Sequence, residues 1–223
     1  MATRKTPFVV GEYYHLYNRG VDKRIIFTDE NDIGRFLQSM DEFNAVDPIG
    51  SIYKNSFREL RSPTSKSKQL VSFVAYCVNP NHYHFLLRQL VEKGIEKFMQ
   101  RLGTGHTNYF NNKHKRSGAL FQGRFKAVHI SNNEYLLHVS VYINLNDRVH
   151  QLRSPASQLI KSRSSWREYL GENKSINKDF CNKDIILGQF KNKKEYKEFA
   201  ESSLKSILER KADLKDMAKI LLE

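Results

Sequence analysis

His82-Tyr83-His84 places two imidazoles two residues apart, and an extended strand turns both to one side with Tyr83 on the other. At that spacing they can share one divalent ion; a pair of structural histidines is the plainer alternative. A second set recurs at helical spacing. His138, Tyr142 and Asn146 stand at i, i+4 and i+8 among Leu136, Leu137, Val139, Val141, Ile143 and Leu145. A helix through them is largely buried and carries one polar stripe, which a core tyrosine with a satisfied hydroxyl would also explain. Taken together, the two sets describe phosphoryl transfer. A hard ion such as Mg2+ or Mn2+ accepts a carboxamide oxygen, and Mn2+ accepts imidazole readily. His82, His84 and Asn146 are therefore candidate ligands, with open positions left for phosphate oxygens. Tyr142 is the candidate nucleophile, and His138 a candidate supporting residue behind the ligands. Free tyrosine has a pKa of about 10, so it needs a base or the field of the ion near neutrality. Nothing supplies a carboxylate pair for two-metal hydrolysis, and no P-loop, zinc-finger spacing or Gly-x-Ser-x-Gly occurs.

The elements that must position these residues are legible in outline. Glu12 to Arg19 reads as a strand. Thr28 is expected to cap a helix whose Ile33, Phe36, Leu37, Met40 and Phe43 follow the helical period. Residues 44–69 read as an irregular connection with a mobile Ser/Thr/Lys/Pro stretch from Arg61 to Lys68. Leu70 to Val78 and His82 to Arg88 form a hairpin about Asn79-Pro80-Asn81. A helix from about Gly94 carries Ile95, Phe98, Met99 and Leu102; it is expected to break at Gly103 to Gly105 and resume through Tyr109 and Phe110. Ala119 to Ile130 reads as a strand or hairpin. Ser131-Asn132-Asn133-Glu134 matches a capping box opening a helix to about Asn146. The order predicts an α+β fold with a ferredoxin-like βαββαβ core, an antiparallel sheet with helices on one face. That core is assigned to residues 8–150. Residues 151–223 read as a basic helical extension, with helices at Ser164–Leu170, Asn182–Phe190, Lys193–Leu204 and a last one to Leu222, expected to pack against the Tyr142 helix.

Composition narrows the partner. The chain has 223 residues, with 37 Lys and Arg against 24 Asp and Glu and a net charge of +13. That excess favours a polyanion, nucleic acid or an anionic membrane surface. The excess is +8 up to residue 150 and +5 beyond. No acidic residue occurs from Leu60 to Val91, nor from Lys97 to Asn133. Windows of that kind suit a phosphate-tracking surface, because a carboxylate there would repel the backbone. The longest apolar run, Val71 to Val78, is too short to span a bilayer, and no signal-peptide core follows the N-terminus. Two cysteines, Cys77 and Cys181, make no disulfide framework. A cytoplasmic protein without membrane association is expected.

Four motifs in order carry a resemblance: Tyr14-His15-Leu16-Tyr17-Asn18-Arg19-Gly20, Ala75-Tyr76-Cys77-Val78-Asn79-Pro80-Asn81-His82-Tyr83-His84-Phe85-Leu86-Leu87, Leu120-Phe121-Gln122-Gly123-Arg124-Phe125-Lys126 and Tyr142-Ile143-Asn144-Leu145-Asn146. The chain resembles the single-tyrosine HUH transposases, and most nearly the REP-associated tyrosine transposases, over about residues 8–200. Ser165-Trp166-Arg167-Glu168-Tyr169-Leu170-Gly171 resembles their C-terminal region. The resemblance implies an HUH nuclease fold and a histidine pair, His82 and His84, that binds Mg2+ or Mn2+ with Asn146 as the amide ligand. It further implies Tyr142 as the nucleophile that cleaves single-stranded DNA carrying hairpins, leaving a 5′-phosphotyrosine. Arg19, Lys113, Lys115, Arg116, Arg124 and Lys126 are the expected DNA contacts. A monomer is implied by the REP-associated relatives, and a helix-swapped dimer by the shorter insertion-sequence relatives. Two departures stand out: Asn79 where the family usually has Met, and Asp147 where Pro commonly follows. The Arg61–Lys68 insertion is expected to bear on hairpin recognition. The competing expectations are a domesticated regulatory protein that binds hairpin DNA without transposition, and an RNA-binding four-stranded module, which would need exposed aromatics on its sheet face.

Overall fold

Alternation sets the first strand. In β1 (Tyr13–Arg19), Tyr14 and Leu16 enter an apolar cluster on one side of the sheet, while His15 and Tyr17 face the other. Strands β2 (Val71–Asn79) and β3 (His82–Gln89) are buried at almost every position, so both faces of the sheet centre are covered. Pro80-Asn81 is the tight turn between them, closed by the pair Asn79 and His82. Strands β4 (Lys126–His129) and β5 (Arg163–Ser164) complete an antiparallel sheet in the order β4-β1-β3-β2-β5. This computed structural model describes residues 7–47, 68–150, 161–172 and 179–220, without the side chains of 150 and 213–220. Residues 61–67 of the expected mobile stretch lie outside the described residues.

Helices α1 (Glu30–Glu42) and α2 (Gly94–Lys113) follow β1 and β3, which gives the βαββαβ order of a ferredoxin-like α+β core. They pack Ile33, Phe36, Met40, Ile95, Phe98 and Leu102 against Tyr83, Phe85 and Leu87. The expectation of helices on one face only is corrected here. A second cluster covers the opposite face, where α3 (Asn133–Asn144) brings Leu136, Val139, Val141 and Ile143 over Cys77 and Leu86. The reason lies in α3 itself: it is apolar around most of its circumference and must be buried on more than one side. Its outer side is covered by α5 (Trp166–Leu170), α6 (Asp184–Leu187) and α7 (Lys193–Ile220), through Trp166, Tyr169, Ile186, Tyr196 and Ala200. Between them α4 (Asn146–His150) follows α3 after a break at Leu145. The C-terminal helices thus pack against the Tyr142 helix, as expected.

Several local expectations shift. The cap of α1 is Asp29, whose carboxylate accepts the Asp32 N–H, and Thr28 instead donates its hydroxyl to Asp32. Asn132, one residue later than Ser131, caps α3 by accepting the Tyr135 N–H. Helix α2 runs unbroken through Gly103 and Gly105. The Phe43 ring packs so close to Gly105 that a Cβ there would sit 2.7 Å from its edge. Gly105 therefore marks a close helix approach and not a break. Within Ala119–Ile130 only β4 is a strand, with one bridge between Gly20 and Phe121. The last two expected helices are a single one, α7.

Candidate active site

The hairpin turn, β1 and the α3–α4 junction meet on the histidine face. His82 and His84 point the same way on β3 and are each 7% exposed. Register places Tyr17 opposite His84 and Arg19 opposite His82, and then Lys126 opposite Tyr17 on β4. Neighbours in register share a face. Arg19 and Lys126 therefore flank the histidines, and the Arg19 Nε is buried without a hydrogen-bond partner.

Each imidazole is held from behind. Asn81 donates its amide to the Lys23 carbonyl, so its Oδ1 accepts, and His82 Nδ1 lies 2.6 Å from it. That assigns the proton to Nδ1 and leaves a lone pair on Nε2. His82 Nε2 stands 3.1 Å from Asn146 Oδ1, so two acceptors converge. Asn79, fully buried, donates Nδ2 to Asn146 Oδ1 at 2.8 Å and lies 3.0 Å from His82 Nε2. A buried amide thus bridges the two acceptors. His84 Nδ1 pairs with His15 Nε2 at 2.9 Å, and the two rings stack. Burial lowers the His15 pKa to about 4, so His15 is neutral near pH 7.

Tyr142 approaches from α3. Its ring meets His84 edge-on, centroids 5.5 Å apart, and lies 6.0 Å from His15. Although Leu145 interrupts the helix between them, Tyr142 reaches His84 and Asn146 reaches His82 on the same face of β3. Burial raises the Tyr142 phenol pKa; a side-chain hydrogen bond with Asn146 lowers it, and Tyr17 and Cys77 add to the rise. The hydroxyl is therefore neutral near pH 7. A divalent ion fits the chemistry of these donors: an imidazole lone pair and an amide oxygen already converge, beside a second imidazole. Among the described residues, no three His, Cys, Asp or Glu side chains are grouped to hold a metal, so a ligand set here depends on the amide.

The structure separates the expected DNA contacts. Arg124 and Lys126 are exposed at the start of β4, and Lys115 is exposed in the loop after α2. Lys113 instead pairs with Asp29 and Asp32 at 2.7 and 2.6 Å. Burial raises the Asp32 pKa, but hydrogen bonds from Lys113, Thr28 and Tyr109 prevail and hold it at about 2. Arg116 spends its guanidinium on Asn111 Oδ1 and the Ala119 carbonyl, which shapes the loop. His138 is exposed and packs near Phe199, 5.7 Å away, with no contact to His82 or His84 seen. The residues behind the histidine pair are His15, Asn79 and Asn81; the sequence marked Asn79 only as a turn residue and a departure from the family pattern and Asn81 only as a turn residue, and gave none of the three a role in the site. The one available signal was alternation in Tyr13-Tyr14-His15-Leu16-Tyr17, which places His15 on one face with Tyr17.

A search of curated proteins finds no match. A solved structure described as the REP-associated tyrosine transposase bound to a REP hairpin resembles this one, with 16% identity and a TM-score of 0.49, over 83% of this chain and 93% of that one. Residues 49–146 match the family described as Transposase IS200 like, a stretch that holds the second, third and fourth of the four sequence motifs.

Proposed function

We propose that this chain nicks and rejoins single-stranded DNA, with Tyr142 as nucleophile and His82, His84 and Asn146 as ligands of Mg2+ or Mn2+. The observation that carries the reading is the meeting of a lone pair on His82 Nε2 with Asn146 Oδ1, 3.1 Å apart, while the Tyr142 ring packs against His84 of the same chain. When bound, a divalent ion would polarise the scissile phosphate and favour the ionised phenol. The protein's own part is positional. His15 orients His84, Asn81 fixes the tautomer of His82, and Asn79 holds the Asn146 oxygen toward the site. Tyr142 Oη attacks phosphorus in line, its proton passes to solvent, and the 3′ oxygen leaves as a hydroxyl once protonated. Rejoining reverses this: a 3′-hydroxyl attacks the phosphotyrosine and the phenol departs. Arg19, Arg124, Lys115 and Lys126 are the proposed contacts to the strand, with a DNA hairpin as the wider substrate and the monomer as the working unit.

The test is an adduct assay. Incubated with hairpin-bearing single-stranded DNA and Mn2+, the wild-type chain is expected to form a complex that survives denaturation. Tyr142→Phe is expected to bind the strand and form none. An adduct in Tyr142→Phe would move the nucleophile elsewhere. Binding without an adduct in the wild type under either ion would leave the hairpin-binding regulatory reading in its place.

A further inference from the structure

The histidine face continues past the site into a cavity of about 810 Å3. Its volume lies in the range of small-ligand sites, roughly 300–1,000 Å3. One wall is aromatic: Tyr17 stacks on His84 with centroids 5.4 Å apart and planes 21° from parallel, and Tyr142 stands beside them. The opposite wall is α7. There Ser202, Ser206 and Arg210 recur at i, i+4 and i+8, a polar stripe turned onto the cavity. Arg210 is exposed and enters no ion pair among the described residues. Glu134, at the start of α3, is the carboxylate of the lining and suits the amino edge of a base.

Flat π surfaces, hydroxyls and an exposed guanidinium around one cavity describe a nucleotide. The cavity adjoins the Tyr142 side chain, which fixes where along the strand that nucleotide lies. We propose that this cavity is a pocket for one nucleotide of the single strand, next to the phosphate that Tyr142 attacks. The base lies against Tyr17, the hydroxyls of Ser202 and Ser206 meet its edge or its sugar, and Arg210 takes a neighbouring phosphate. The inference rests on the single-stranded DNA reading above and adds a role to α7: it closes the substrate channel as well as burying α3. It also accounts for part of the C-terminal positive charge, since Arg210 belongs to the +5 carried beyond residue 150.

The experiment uses the full chain and two probes: fluorescein-labelled (dT)12 read by anisotropy, and the same strand carrying 5-iododeoxyuridine for photocrosslinking. Arg210→Gln, on an exposed helix position, is expected to weaken (dT)12 binding about tenfold with an unchanged melting temperature. Ser206→Leu, which fills the cavity, is expected to do the same, and crosslinks are expected on peptides containing Tyr17 or Phe199. Wild-type affinity in Arg210→Gln, with crosslinks confined to other peptides, would overturn the pocket while leaving the DNA reading intact. Failure of the wild-type chain to bind either (dT)12 or a hairpin-bearing strand would overturn the DNA reading, and the pocket with it.

Discussion

His82 shows how much of a site is decided by single hydrogen bonds. Its Nδ1 proton is fixed by Asn81, so Nε2 presents a lone pair to the site. Asn79 then places one N–H group between that lone pair and Asn146 Oδ1. His82 Nε2 has a single lone pair, so a divalent ion held there would take the place of the Asn79 contact, whereas Asn146 Oδ1 could keep its own. Asn79→Leu, close in volume, leaves both buried acceptors without their donor. It is expected to cost about 1–3 kcal/mol, read from urea unfolding. Mn2+ offers a second check. It is expected to raise the melting temperature of the wild-type chain by mass action and not that of His82→Ala. Equal shifts in both chains would remove His82 from the proposed ligand set.

At the scale of elements, absence of acid in the sequence is not absence of acid in space. The window from Lys97 to Asn133 contains no carboxylate, yet α1 delivers Asp29 and Asp32 to Lys113 at the end of α2. That pair ties two helices together on the far side of the sheet from the histidines. Lys126, one strand away from His84, is exposed and enters no ion pair among the described residues. The two lysines should therefore separate in experiment. Lys113→Ala is expected to cost about 1–3 kcal/mol, because buried Asp32 loses its charged partner, and to leave the salt dependence of strand binding unchanged. Lys126→Ala is expected to leave stability unchanged and to reduce the slope of log K against log salt by about 0.7. Unfolding curves and binding isotherms at several salt concentrations decide both.

Over the whole molecule, both faces of one sheet are buried, and this shapes its chemistry with pH. His15 on one face and His106 on the other are each lowered to about 4 by burial, with a hydrogen bond between His106 and the Ile26 carbonyl partly opposing the shift for His106. Their folded pKa lies below the unfolded value near 6.5. The unfolded chain therefore takes up protons that the folded chain refuses, and stability falls as pH drops from about 6.5 toward 4. By pH 5 each group is expected to cost about 2 kcal/mol. Urea midpoints at pH 7.5 and 5 measure the sum, and His106→Gln is expected to flatten part of the slope. The ionised Asp32 acts in a separate, lower window, losing its contribution as pH falls from near 4 through 2. Burial of both faces also bears on the RNA-binding alternative, since α3 and the C-terminal helices cover the face such a module would need open. No helix among the described residues is long and apolar enough to cross a membrane.

The sequence alone determined what depends on periodicity and residue type. Two-residue alternation put His82 and His84 on one face and Tyr83, Phe85 and Leu87 on the other. The 3.6-residue period gathered Tyr142 and Asn146, and turn chemistry placed Asn79-Pro80-Asn81 between two strands. Those are local properties of the chain. Only the tertiary structure decided what depends on register and on the pairing of distant segments. His15 lies 69 positions from His84 and meets it through the order β1-β3. Asn79 reaches Asn146 across 67 positions. Lys113 is claimed by acids 81 and 84 residues away, and α7 is folded back over the Tyr142 helix. Spacing along a chain carries no information about such contacts, because they are set by which surfaces must be buried together.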